Sequence, residues 1–390
     1  MLLESIALQM TPGVGSVGAA HLLEVFGDAR AVFAASVDEL IERAALRPAL
    51  AAELVQRRAF SAAERELAYC RKHGITPIPA TDENYPPLLR EIHDYPPVIY
   101  LQGDPSVLRK QTIAIVGTRS TTPYGSEQCR QLVIDLAQQL PRLAVVSSLA
   151  YGIDVGVHRA ALECGARSIA VLANALPEIS PTHHTDVARK ILDQGGAIVS
   201  EVHSQSKQKG KFYIPRNRLI AGLAAGCVVA EAPANSGALT TARLADEYHR
   251  CVMAFPGRPA DKNMFGANHL IRTHKAQMIC SAADVVRELA WALTPTPAQY
   301  DRTPSDELPM VAEPAAVFGT MPEAPVADER LTEADRRLLA CFEGSDPLSI
   351  EELQARSGLD IDQLYASLMG LEIAGRIRLF PGNKYLKRCD

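Results

Sequence analysis

The chain has 390 residues, a formal net charge of −5 and a hydrophobic fraction of 47%. That length implies two or three domains with material for a core, and the acidic balance argues against a protein coated in nucleic acid while leaving room for one local basic groove. The eight cysteines are scattered without C-x-x-C spacing, so zinc is not expected and free thiols in a reducing cytoplasm are.

The N-terminal run MLLESIALQM has no basic start, so no signal peptide is expected. Residues 1–75 read as a helical domain. Leu2, Leu3, Ile6 and Ala7 recur at helical spacing, Thr11-Pro12-Gly13-Val14-Gly15 follows, and Ala19, Leu22, Leu23 and Phe26 resume the pattern. That layout predicts a helix-hairpin-helix unit, whose glycines either admit a phosphate to the backbone or serve only the turn. Between 75 and 110, Tyr85-Pro86-Pro87 and Tyr95-Pro96-Pro97 predict an extended connector lying on the next domain.

From about 111 to 290, short apolar runs alternate with helical segments. Strands are predicted at Thr112–Val116, Ala144–Ser147, Ser168–Leu172, Ala197–Ser200, Cys227–Glu231 and Val252–Phe255. The alternation predicts an α/β fold, a parallel Rossmann-like sheet, over a domain of residues 76–292. The most apolar stretch, Leu219 to Ala230, is shorter than the about 20 residues a membrane span needs, so no membrane association is expected. Prolines 295, 297, 304, 309, 314, 322 and 325 mark residues 293–330 as a flexible linker. Residues 331–390 read as three helices, starting near Thr332, Ser349 and Asp360, and a hairpin of RIRLF and KYLKR around Pro381-Gly382-Asn383. That is a winged helix. Ser349 and Glu352 match a capping box.

Ligands of such sheets sit beyond the carboxyl ends of the strands. Gly117-Thr118-Arg119-Ser120 follows the first strand, Ser147-Ser148 ends the second, and Asn235-Ser236-Gly237 to Thr240 follows the fifth. Small and hydroxyl residues where helices begin favour an anion. Neither a dinucleotide fingerprint nor a P-loop is present, and no cofactor is expected. The stretch KQKGKFYIPRNRLIAGLAAG, residues 207–226, supplies charge through Lys207, Lys209, Lys211, Arg216 and Arg218. Arg216-Asn217-Arg218 opens a helix against its dipole, which calls for an anion, either a nucleic-acid phosphate or a carboxylate of Glu201 or Glu231. Phe212 and Tyr213 either stack on bases or anchor the loop. The candidate site is therefore Gly117, Thr118, Arg119, Ser147, Ser148, Lys211, Arg216, Asn217, Arg218, Ser236, Gly237 and Thr240. Asp154 and His158 are four apart on one helix face, with Asp154 read as a helix cap. The adjacent His183 and His184 are not expected to hold a metal.

The segments IAIVGTRSTTPYG (113–125), LAYGIDVGVHRAAL (149–162), IPRNRLIAGL (214–223), SGALTTARLA (236–245) and FPG (255–257) stand in the order of the motifs of one family. The chain resembles the DNA-processing protein A family, DprA or Smf, over nearly its whole length. The resemblance implies sequence-independent binding of single-stranded DNA without catalysis, dimerisation, and loading of the RecA recombinase during natural transformation. It also implies a shared dimer and RecA surface at Asn268, His269, Leu270, Ile271 and Met278. The chain diverges from the pattern in places. Ser148 and Tyr151 replace the glycine and basic residue of Ser-Gly-Leu-Ala-Arg-Gly-Ile-Asp. Ala173-Asn174-Ala175, Ser180 to His184, and His249-Arg250 replace a glycine-rich strand end, a Tyr-Pro-basic-x-Asn motif and a Gly-Arg pair. Two other readings remain. One is a nucleotide or nucleoside-phosphate hydrolase with Glu201 or Glu231 as base. The other is a regulator binding duplex DNA through the winged helix. Asp360, Asp362 and Glu372 on its third helix oppose duplex binding, and Lys384, Lys387 and Arg388 on the wing favour it.

Overall fold

The computed structural model describes residues 1–206, 212–291, 332–342, 348–360, 363–364, 367–368, 371, 376–380 and 384–387. The expected linker at 293–330 lies outside the described residues, as do Lys207, Lys209 and Lys211. Residues 1–299 form one compact unit and residues 300–390 another.

The first unit begins with six helices, α1 (Leu2–Met10), α2 (Gly15–Phe26), α3 (Ala29–Ala34), α4 (Val37–Ala44), α5 (Pro48–Val55) and α6 (Phe60–Lys72). The hairpin between α1 and α2 falls at Thr11–Val14, as its glycines predict, and Gly13 and Gly15 both hold positive φ. These helices do not have a core of their own. Ile6, Leu22, Leu40 and Leu54 belong to the same buried cluster as Ile113, Val145 and Val228 of the sheet. The reason is size: about 75 residues of short helices leave apolar faces that only the sheet can cover.

A sheet of nine strands follows: β1 (Thr76–Pro79), β2 (Val98–Gly103), β3 (Gln111–Gly117), β4 (Leu143–Ser148), β5 (Arg167–Val171), β6 (Ala197–Ser200), β7 (Gly226–Glu231), β8 (Cys251–Ala254) and β9 (Gln277–Met278). Their order is β1-β2-β6-β5-β4-β3-β7-β8-β9. All pairs from β6 to β9 are parallel. All six strands read from the sequence are present. The proline-rich connector carries two more, β1 and β2, which add antiparallel to β6. Pro77 and Pro79 hide β1 from a pattern search, yet proline is tolerated on an edge strand, which is where β1 lies.

Helices α7 (Pro87–Arg90), α8 (Pro123–Gln139), α9 (Ile153–Cys164), α10 (Thr185–Asp193), α11 (Tyr213–Gly222), α12 (Gly237–Glu247), α13 (Phe265–Arg272) and α14 (Ala282–Glu288) connect the strands. The chain runs from β3 outward through β4, β5 and β6. It then returns by α11 to place β7 on the other flank of β3. That reversal opens a crevice beyond the carboxyl ends of β3, β4 and β7.

The second unit has α15 (Glu333–Ala340), β10 (Leu348–Ser349), α16 (Ile350–Ser357), β11 (Ile377–Phe380) and β12 (Lys384–Lys387). Thr332 and Ser349 close capping boxes with Asp335 and Glu352. β11 and β12 pair antiparallel in a three-stranded sheet with β10. Leu364, Leu368 and Leu371 of the third predicted helix are buried with Leu338 and Leu353, the packing of a winged helix. Asp362, Glu372 and Arg388 lie outside the described residues.

Candidate nucleic-acid interface

The crevice is a cleft of about 390 Å³ at the switch point of the sheet. Its walls come from four segments: Gly117, Thr118 and Arg119 after β3, Ser148 and Ala150 at the end of β4, Arg216 and Asn217 on α11, and Ser236 and Gly237 at the start of α12. Residues a hundred positions apart converge because three of these segments follow carboxyl strand ends and the fourth lies near the start of α11, the helix that returns the chain to β7.

Glycine is required where these segments meet. A Cβ at Gly117 would stand 2.5 Å from Ile153. Gly152 has φ +78°, and a Cβ there would stand 2.2 Å from the Thr118 carbonyl oxygen. The close approach lets Ile153 N donate to Thr118 O (3.1 Å) and fixes the loop that carries Arg119.

Two arginines supply the positive charge. Arg119 is exposed, with its guanidinium 6.0 Å from the Tyr213 ring centroid. Arg216 is only 7% exposed, and its Nη1 donates to Val171 O at 2.7 Å. Burial pulls its pKa down to about 10, against support from Asp154. It stays charged at neutral pH. Among the described residues, neither Arg119 nor Arg216 meets a carboxylate at ion-pair distance. The α12 N-terminus adds backbone donors, its first turn capped by the Ser236 hydroxyl, which accepts from Ala238 N.

Asp154 forms the floor. Its Oδ2 accepts from the Ser148 hydroxyl and its Oδ1 from Gly117 N (3.3 Å). The expectation that Asp154 caps a helix is therefore corrected: Gly152 holds the cap position of α9, and the carboxylate ties β3 to β4 instead. Burial pushes the Asp154 carboxyl up to about 6, against the Ser148 hydrogen bond and Arg216. His158 is wholly buried between Ser168 Oγ (2.6 Å) and Ser148 O (3.0 Å). Burial lowers its pKa to about 4, so it is a neutral structural bridge.

Several expected residues lie elsewhere. Arg218 is two positions beyond Arg216, about 200° around the helix, so it faces the opposite way. It ion-pairs with Glu201, donates to Ser16 Oγ (2.8 Å) of the N-terminal hairpin, and lies 3.9 Å from Asp94. It clamps the helical segment to the sheet rather than lining the cleft. Ser147 is buried and donates to Ile115 O of the neighbouring β3 at 2.7 Å, and it does not line the cleft. Thr240 is half-buried on α12 and does not line the cleft, whereas Thr241 does. Lys211 lies outside the described residues. Glu231 is buried, and its Oε2 accepts from Thr121 Oγ1 (2.8 Å) and Thr122 N (2.9 Å) beside the start of α8. Neither Glu201 nor Glu231 lines the cleft.

The residues expected at a dimer surface divide similarly. Asn268 turns inward, exchanging hydrogen bonds with Gly257 N (2.9 Å) and Gly257 O (3.0 Å). Leu270 is buried and Ile271 half-buried. His269 is exposed on α13, and Met278 is 55% exposed on the edge strand β9. His249, where the resemblance expects glycine, keeps the left-handed backbone at φ 57°. Among the described residues there is no cluster of side chains that could hold a metal ion and no helix long and apolar enough to cross a membrane.

A family model for DNA recombination-mediator protein A matches residues 76–290, and one for the DprA winged helix domain matches residues 322–383. Protein Smf of Escherichia coli (strain K12) is 33% identical over 306 residues, 78% of this chain and 75% of that protein. DNA processing protein DprA of Bacillus subtilis (strain 168) is 36% identical over 229 residues, 58% of this chain and 75% of that protein. The crystal structure of DprA from Streptococcus pneumoniae superposes with a TM-score of 0.64 at 28% identity, over 74% of this chain and 98% of that one. A Helicobacter pylori DprA structure, described as giving insight into its single-stranded DNA binding mode, has a TM-score of 0.50 at 27% identity, over 57% of this chain and 98% of that one.

Proposed function

Since the chain belongs to the DNA recombination-mediator protein A family, we propose that its cleft holds the phosphates of single-stranded DNA without sequence preference, and that the protein acts as a recombination mediator. One observation carries this reading. Arg119, Arg216 and the α12 N-terminus share one cleft, and among the described residues no carboxylate at ion-pair distance neutralises either arginine. A buried guanidinium whose own fold disfavours its charge is suited to an external anion. Contacts that backbone donors and arginines make to phosphate carry no base identity. The reading is of a binding site rather than a catalytic one. The carboxylates considered as a hydrolase's base lie outside the cleft, Glu201 tied to Arg218 and Glu231 to the Thr121–Thr122 loop, and the one carboxylate among the described residues lining it, Asp154, is held by the Ser148 hydroxyl and Gly117 N beneath the arginines.

Loading of RecA in the cytoplasm by a homodimer completes the proposal, with His269 and Met278 as the exposed candidates for the contact surface. The test is binding of labelled oligothymidine at several salt concentrations, with duplex competitor and with or without RecA. Single strands should win over duplex, and log K should fall with log salt by about 0.7 for each phosphate neutralised. Equal affinity for duplex would refute the single-strand reading. Strand binding with no gain in RecA assembly would confine the function to binding alone.

A further inference from the structure

Next to the cleft lies an aromatic ledge that the phosphate contacts do not use. Tyr151, just past the end of β4, is 47% exposed although its neighbours Leu149 and Ile153 are fully buried. Its ring meets His184 edge-on, with centroids 4.9 Å apart and planes at 64°. His184 is itself buried, and its Nδ1–H donates to Leu149 O at 2.6 Å, since a carbonyl can only accept. The Tyr151 hydroxyl lies 3.3 Å from His183 Nδ1. Two histidines thus brace an exposed tyrosine in one orientation, with close to half of its surface left in solvent.

The ledge is continuous with the cleft. Ala150 lines the cleft, and Gly152 on the other side of Tyr151 packs against the Thr118 and Arg119 carbonyls. Tyr213 of α11 is 45% exposed with the Arg119 guanidinium over its ring, and its hydroxyl lies 3.5 Å from Ser180 Oγ. Ser180 begins the loop that presents His183. Tyr213, Ser180, His183 and Tyr151 therefore form an arc along one side of the phosphate site. A strand held by its phosphates at Arg119 and Arg216 turns its bases outward, onto whatever aromatic surface flanks it. A braced ring loses little freedom on stacking, and base stacking on aromatics tolerates any sequence.

We infer that Tyr151, braced by His183 and His184, is a stacking platform for a nucleobase of the strand whose phosphates occupy the cleft. The inference rests on the cleft reading and adds a base contact to it. The test compares oligothymidine with an abasic oligonucleotide of equal length and charge. Wild-type protein should bind oligothymidine more tightly than the abasic oligomer. Tyr151→Ala should lower that ratio by about 5- to 150-fold, the span of one stacking contact, and Tyr151→Phe should keep it. An unchanged ratio in Tyr151→Ala overturns the platform. So does a loss in Tyr151→Phe as large as in Tyr151→Ala, which would assign the effect to the hydroxyl. Photocrosslinking of a 5-iodouracil oligomer to wild-type protein should yield adducts at Tyr151, and their absence overturns the inference without any variant. If wild-type protein binds neither oligomer, the cleft reading fails and the platform with it.

Discussion

Arg216 gives the sharpest test of the cleft. The residue is 7% exposed, and its guanidinium holds one backbone carbonyl through Nη1 and has no carboxylate at ion-pair distance among the described residues. Burial, the dominant influence on it, drags its pKa toward neutrality, so the folded protein bears a cost in keeping it charged. A phosphate would relieve that cost and accept a charge-assisted hydrogen bond, a contact contributing about 1.5–3 kcal/mol. Arg216→Ala should therefore weaken strand binding by about 10- to 150-fold at fixed salt, and alike for every sequence. It should also lower the steepness of the log K against log salt plot by about 0.7, one phosphate contact fewer. Arg216→Lys should recover the salt steepness more than the affinity, because lysine keeps the charge and loses the planar fork. Thermal stability should change little, since a disfavoured buried charge leaves together with its hydrogen bonds to Val171 O and Asn217 Oδ1. Fluorescence anisotropy of labelled oligothymidine from low to moderate salt measures all of this. Wild-type affinity with wild-type salt dependence in Arg216→Ala would refute the argument.

Arg218→Ala should behave in the opposite way. It strands the buried Glu201 carboxylate, at a cost of about 3–5 kcal/mol, so the melting temperature drops while strand affinity of the folded protein holds; a binding loss matching that of Arg216→Ala would contradict the division of the two arginines. Asp154, raised to about 6 by burial, should couple binding to pH. A phosphate overhead disfavours its ionised form, so affinity should rise as pH falls from 8 through 6. Asp154→Asn should bind more tightly at pH 8 and flatten that profile, and parallel profiles for the two proteins would reject the coupling. The same raised pKa contributes stability below the unfolded value that is lost as pH rises through about 6. Gly152→Ala forces a side chain into φ +78° and onto the Thr118 carbonyl. Strain of about 1–3 kcal/mol should lower the melting temperature by roughly 2–4 °C per kcal/mol, and unchanged melting would mean the loop yields freely. Met278→Glu on the exposed edge strand should shift a dimer to monomer in sedimentation, and an unaltered dimer would place the contact elsewhere.

The residues alone determined most of the elements. The parallel strands are legible because both faces of each are covered, so apolar runs are unbroken from Ile113 to Val116 and from Cys227 to Ala230. The capping boxes at Thr332 and Ser349 are local chemistry, complete within four residues. The small and hydroxyl residues at Gly117, Ser148 and Ser236 pointed to the cleft for the same reason, since strand ends are local features. What the sequence hid was long-range or directional. Strands β1 and β2 passed as a connector because prolines on a sheet edge look the same as prolines in a loop. Arg216 and Arg218 looked like a pair, and the helical period of about 100° per residue already separated them. Only the tertiary structure could say which of the two met Glu201 and which faced the cleft, because the β6 end that carries Glu201 is set beside Ser16 and Asp94, which reach α11 from distant parts of the chain. Burial decided the rest. Asp154 reads the same in sequence whether it caps a helix or ties two strands beneath an arginine, and the choice follows from Ser148 and Gly117 being brought against it by β3 and β4.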